Sequence, residues 1–174
     1  MMKNWVEKTD FHDLRYMANS VKSDQLLNQC VSEAMIFDIQ PLLGSALFYE
    51  LVSQFDAKDL TELNAKLLDG GTYLYYDNTY IFQGLKKCVA YYAFARYTKR
   101  DGVKYTASGP VMKDDDLSDP INDKTRVRLA NEDYEMAGAL RAEVMQYLNC
   151  NYESYPLWCH KKPQSNPRCK LVGD

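Results

Sequence analysis

The sequence predicts a mainly α fold: a compact bundle of about four to five helices with a small β-hairpin near residues 73–82, a protruding loop or β-arm near 103–120 and an extended C-terminal tail. Three observations lead there. Apolar residues recur at helical spacing in the long segments. The one strongly β-prone stretch, TYLYYDNTYIF, is divided by Asp77 and Asn78, which tolerate the backbone of a tight turn. Two proline-containing stretches, YTASGPVMKDDDLSDP and everything after Asn149, show no period. With 174 residues, 46% of them apolar, the chain suits one core. Residues 1–149 therefore read as one helical domain with an inserted arm, and residues 150–174 as a tail.

Each element has a local reason. SDQLLNQCVSEAMIFDIQ puts Leu27, Val31 and Met35 on one stripe beside Leu26, Cys30 and Ala34, with Ser23 or Asp24 as cap. Pro41 removes a backbone donor, so this helix should break or kink near Ile39 and restart at PLLGSALFYELVSQF, burying Leu43, Leu47 and Leu51. A shorter helix in DLTELNAKLL stops at Gly70 and Gly71. The hairpin follows, turning at Asp77-Asn78. GLKKCVAYYAFARYTKRDG leaves only a narrow polar strip beside Leu85, Val89, Tyr92 and Phe94, which predicts the central core helix. The last helix, capped by Asn122 or Asp123, should bury Val127, Tyr134, Ala137, Val144 and Leu148.

Charge and motifs narrow the chemistry. A formal charge of -3 disfavours a protein whose task is gripping nucleic acid. No run of about 18 apolar residues can span a bilayer, and MMKNWVEKTDFHD lacks a signal-peptide core, so synthesis in the cytosol without a membrane partner is expected. Five cysteines, an odd number, read as reduced thiols. Cys150, Cys159, His160 and Cys169 are the one weak candidate metal set, because their spacing lacks the paired geometry of a zinc knuckle. DDDLSDP lacks the alternating ligands, glycine and glutamate of a calcium loop and reads as solvated. With two histidines, no nucleophile elbow, no nucleotide-binding glycine loop and no H-E-x-x-H, the sequence predicts no enzyme and no cofactor.

Fourteen tyrosines are the unusual feature. Many fall in TYLYYDNTY and AYYAFARY, where they either pad a helical core with hydroxyls at its rim or lie on surfaces another protein covers. In the tail, Tyr152, Tyr155, Leu157 and Trp158 belong to no periodic element, so they must lie on the bundle or on a partner. YPLW, residues Tyr155, Pro156, Leu157 and Trp158, has the composition of an interface anchor, flanked by Lys161, Lys162, Arg168 and Lys170 to suit an acidic neighbour.

The order of four pieces carries a resemblance: Ala34 with the I-x-P-L-L-G run from Ile39 to Gly44, LL-x-GG-x-Y from Leu67 to Tyr73, GLKK…YYAFARY from Gly84, and T-x-SGPV-x-K from Thr106 to Lys113. From Asp13 to Trp158 the chain resembles head-to-tail connector (adaptor) proteins of tailed bacteriophages, particularly the crAss-like phages of Bacteroidetes. The resemblance implies a structural virion protein in the neck, made in the host cytoplasm, that forms a ring beneath the portal and extends the DNA channel. Its implied partners are copies of itself, about twelve by the portal's symmetry, the portal protein and the next neck or tail ring. DNA passes through the lumen without sequence-specific binding. The interrupting stretch is then an arm: Tyr105, Thr106, Ser108, Gly109, Pro110, Val111 and Met112 are expected to pair edge to edge with a neighbouring subunit. Another neck or tail-completion ring protein and a non-viral helical interaction domain share the same features.

Overall fold

The computed structural model describes residues 2–11, 14, 24–101, 103–106, 109–112 and 122–158, with backbone alone at residue 24 and along 104–106 and 109–112. The expected caps at Ser23 and Asp24, the loop 113–121 and the tail beyond Trp158 lie wholly or partly outside what is described. The fold is mainly helical, with a two-stranded hairpin, as the sequence predicts.

Helix α1 (Asp24–Ala34) buries Leu27, Cys30, Val31 and Ala34, and runs into a π-helical turn, Met35–Ile39, whose widened ring is closed by the Gln40 amide donating to the Met35 carbonyl. Regular α geometry is thus interrupted up to Ile39 and resumes at Gln40, without the chain itself breaking there. Pro41 falls in the first turn of the short α2 (Gln40–Leu43), where its missing amide hydrogen costs nothing, and the chain breaks instead at Gly44, whose φ of 77° suits glycine. Helix α3 (Ser45–Ala57) then buries Leu47, Phe48 and Leu51. Helix α4 (Glu62–Asp69) starts where the Thr61 hydroxyl accepts from the Asn64 amide at 3.3 Å.

The end of α4 and the start of α5 (Gly84–Arg100) meet backbone to backbone. A β-carbon on Gly70 would lie 2.6 Å from the Phe82 carbonyl oxygen, and one on Gly84 would lie 2.5 Å from that of Leu68. Both glycines also have positive φ, so the Leu67–Tyr73 and Gly84 motifs are explained by close packing. Between them run β1 (Gly71–Tyr75) and β2 (Asn78–Phe82), antiparallel with Tyr73 opposite Tyr80. The turn residues are Tyr76 and Asp77, at φ 45° and 60°, one position earlier than expected. Asn78 is used as a strand residue whose amide donates back to the Tyr76 carbonyl at 3.1 Å.

Helix α5 is the central helix, packed between α1 and the long α6 (Asp123–Cys150). The Asn122 side chain caps α6, accepting from the Thr125 amide at 2.8 Å. Its buried stripe is Ala130, Ala137, Leu140, Val144, Tyr147 and Leu148, which leaves Val127 exposed rather than buried as expected. The stripe is rotated because small residues face α5: the Cys88 thiol reaches the Ala137 carbonyl at 3.5 Å. The N-terminal segment, which carries no period, also joins the core through Trp5, Val6 and Phe11, with Trp5 5.5 Å from the Phe48 ring.

Candidate functional site

A two-stranded hairpin has two faces, and among the described residues only one of them meets the bundle. On the inner face Phe82 stacks on Tyr147 of α6 with ring centroids 4.0 Å apart, and Tyr73 meets the same ring edge-on at 5.4 Å. These contacts fix the hairpin rigidly to the bundle. On the outer face Leu74 is 73% and Ile81 68% exposed, and Tyr76 at the tip is 80% exposed. Leu74 pairs with Thr79 and Ile81 with Thr72, so the two aliphatic side chains are diagonal neighbours on one surface. Tyr75 and Tyr80 lie on the inner face with Tyr73, nearer the tip, where they remain exposed and pack on each other at 5.9 Å. Tyr76 takes its φ of 45° because a two-residue hairpin turn needs positive φ at both central positions, and its ring packs on Tyr75 at 4.4 Å. The sequence reading singled out the tyrosines of this stretch and missed Leu74 and Ile81. The available signal was alternation: Leu74 and Ile81 are out of phase with Tyr73 and Phe82 and so fall on the opposite face of the hairpin.

A second exposed apolar set lies on the π turn, where Phe37 is 65% exposed beside Ile36. Its neighbour Asp38 pairs with Arg96 at 2.6 Å, and that guanidinium lies over the Tyr134 ring. The hairpin sits instead at Tyr147. Thirteen residues of α6 separate these rings, about 20 Å along the axis.

Of the interface residues expected from sequence, the arm forms its own hairpin: β3 (Val103–Thr106) pairs antiparallel with β4 (Gly109–Met112), Tyr105 opposite Pro110 and Thr106 opposite Gly109. The arm is thus β-structured, with Val111 and Met112 on the returning strand, and Ser108 falls outside the described residues. The tail anchor divides. Tyr155 is not available to a partner, because a 3-10 turn at Tyr152–Ser154 folds the chain back and places its ring in the core at 3% exposure. Its hydroxyl donates to the Leu63 carbonyl at 2.7 Å and contacts the Tyr147 hydroxyl at 3.0 Å. Burial and the bond with Tyr147 push its ionisation far up. Trp158 is half-buried against the bundle, its Nε1 donating to Asn149 at 3.2 Å, while Pro156 and Leu157 remain exposed.

The ionic and thiol groups serve the fold. Arg100 holds Glu33 at 2.7 Å, lowering the carboxyl below its ordinary value, and so ties the end of α1 to the end of α5. Burial raises the thiols of Cys30, Cys88 and Cys150, Cys88 to about 12, which leaves each a poor nucleophile near neutrality. Among the described residues no three metal-ligating side chains converge. Of the weak metal set only Cys150 is described; Cys159, His160 and Cys169 lie outside. No described helix is long and apolar enough to cross a membrane.

A family model described as a family of unknown function (DUF6712) matches residues 39–168, which takes in α2 through the tail. No curated protein and no solved structure matches the chain.

Proposed function

The chain belongs to the DUF6712 family, and we propose that it is a structural ring subunit of a tailed-phage neck, a head-to-tail connector docked under the portal. The observation that carries this reading is the hairpin's outer face: Leu74, Tyr76 and Ile81 are exposed on an element anchored to α6, and no described residue covers them. Apolar groups presented this way on a fixed element are protein contact surfaces. A closed ring needs head-to-tail contacts, in which one surface of a subunit meets a different surface of the next. The hairpin face and the Phe37 surface, about 20 Å apart along α6, supply such a pair, and the β3–β4 arm offers strand edges for a third contact. Its net charge of -3 suits a channel wall along which DNA slides without sticking. The role is scaffolding: the Cys30 and Cys88 thiols are shielded by burial, and among the described residues no metal-ligating cluster forms.

The test is electron microscopy of the protein mixed with the portal of its phage. A ring of about twelve copies on the portal is expected. A protein that stays monomeric and ignores portal overturns the reading, and attachment only to a lower ring would make it another neck component.

A further inference from the structure

We infer, on the basis of the ring reading, that a basic groove at the N-terminal segment receives the acidic loop, residues 113–119, of an adjacent copy. The groove, of about 790 Å³, opens where the N-terminal segment crosses the start of α1 and the end of α3. Its floor is apolar: Val6 and Leu27 are buried, and Phe55 is half-buried. Three lysines, Lys3, Lys8 and Lys58, line it together with Glu7, and the Asp56 carboxylate stands beside Lys3. Lys3 is held in place by its own ammonium donating to the Asp56 carbonyl at 2.6 Å, and its amide donates to the Asp56 carboxylate at 3.0 Å. Lys58, in the left-handed cap of α3, is exposed.

The complementary sequence is in the same chain. KDDDLSD, residues 113–119, carries Asp114, Asp115, Asp116 and Asp119 against the single Lys113, with Leu117 between them. Aspartates meet lysines on the rim and a leucine meets the apolar floor, a pairing of opposite potentials that also fixes register. On the ring reading the donor is an adjacent copy, because a head-to-tail ring brings one subunit's surface against a different surface of the next; occupation of the groove by the chain's own residues 113–119 is the outcome the experiment separates from it.

The probe is a labelled peptide of residues 109–121, titrated into the full chain and followed by fluorescence anisotropy. Saturable binding that weakens with added salt is expected. Binding should fall by about tenfold with a peptide carrying Asp114, Asp115 and Asp116 as asparagine, and likewise with a Lys3→Glu, Lys58→Glu protein whose circular dichroism is unchanged. If that protein does not fold, Lys58→Gln alone on the exposed rim is the substitute, with a smaller loss expected. Equal binding of both peptides, or of neither, overturns the proposal. So does binding only to a chain whose own residues 113–119 are replaced by a Gly-Ser linker, which would show that the loop occupies its own groove. On portal, a groove variant that assembles as the wild type does defeats this inference and leaves the ring reading intact; a wild type that never assembles defeats both.

Discussion

TYLYYDNTY and AYYAFARY are both rich in tyrosine, yet in the first only Tyr73 is buried and Tyr75, Tyr76 and Tyr80 are exposed, whereas in the second Tyr92 and Tyr97 are buried and Tyr91 is half-buried. The difference comes from what surrounds each. Helix α5 runs between α1 and α6, so most of its circumference meets another helix and its tyrosines have somewhere to go. The hairpin touches the bundle through one face alone, where Tyr73 and Phe82 meet Tyr147. The tyrosines of α5 thus line the core, whereas three of the four in the hairpin lie at the surface. An aromatic-rich sequence marks a surface only when its element has an uncovered side.

The largest effect expected is on the helix side of that comparison. Tyr92→Ala should lower the unfolding free energy by about 3 kcal/mol, because it opens a cavity against Tyr134 in a packed interface. Urea denaturation measures it, and a loss below about 1 kcal/mol would mean that α5 is less enclosed than described. On the hairpin side the signs should invert. Leu74→Ser combined with Ile81→Ser should leave stability within about 0.5 kcal/mol yet weaken ring assembly by at least about tenfold, read by native mass spectrometry with portal. Equal assembly would show that the outer face is not a contact.

A smaller effect sharpens how the hairpin is anchored. Tyr155→Phe removes the hydroxyl that joins Leu63 and Tyr147, leaving the buried Tyr147 hydroxyl short of a partner, and should cost about 1–2 kcal/mol. No change would place that hydroxyl in contact with water. Tyr76→Gly should work in the opposite direction on the fold, relieving the left-handed turn by about 1 kcal/mol while weakening assembly. A gain in stability with unchanged assembly would make Tyr76 an accident of the turn. The mildest expectation concerns pH. Glu33 has a folded pKa below its ordinary value of 4.5, so its contribution is fully present above that value and is lost as pH falls through the folded pKa. Glu33→Gln should therefore narrow the stability difference between pH 7 and acid, measured by urea midpoints.

What was legible in the sequence rested on short-range physics. Helical spacing placed α1, α3, α5 and α6, Gly70 and Gly71 stopped α4, and the Asn122 cap was one of two residues of the right chemistry. Local rules erred where a neighbour overrode them. Pro41 was absorbed by a π turn that no propensity announces, and the hairpin turn shifted onto Tyr76 because inner-face packing of Tyr73 and Phe82 set the register. Val127 was read as buried on a stripe that α5 rotates away. The candidate site follows the same division. Composition alone marked the tyrosines of the hairpin and the YPLW segment as apolar groups in search of cover. Only the tertiary structure decided that Tyr155 finds its cover at home, beneath Leu63 and against Tyr147, while Leu74 and Ile81 do not. The reason is geometric: alternation along a strand gives each side chain a face, but which face meets α6 depends on a contact some 65 residues away, between Phe82 and Tyr147.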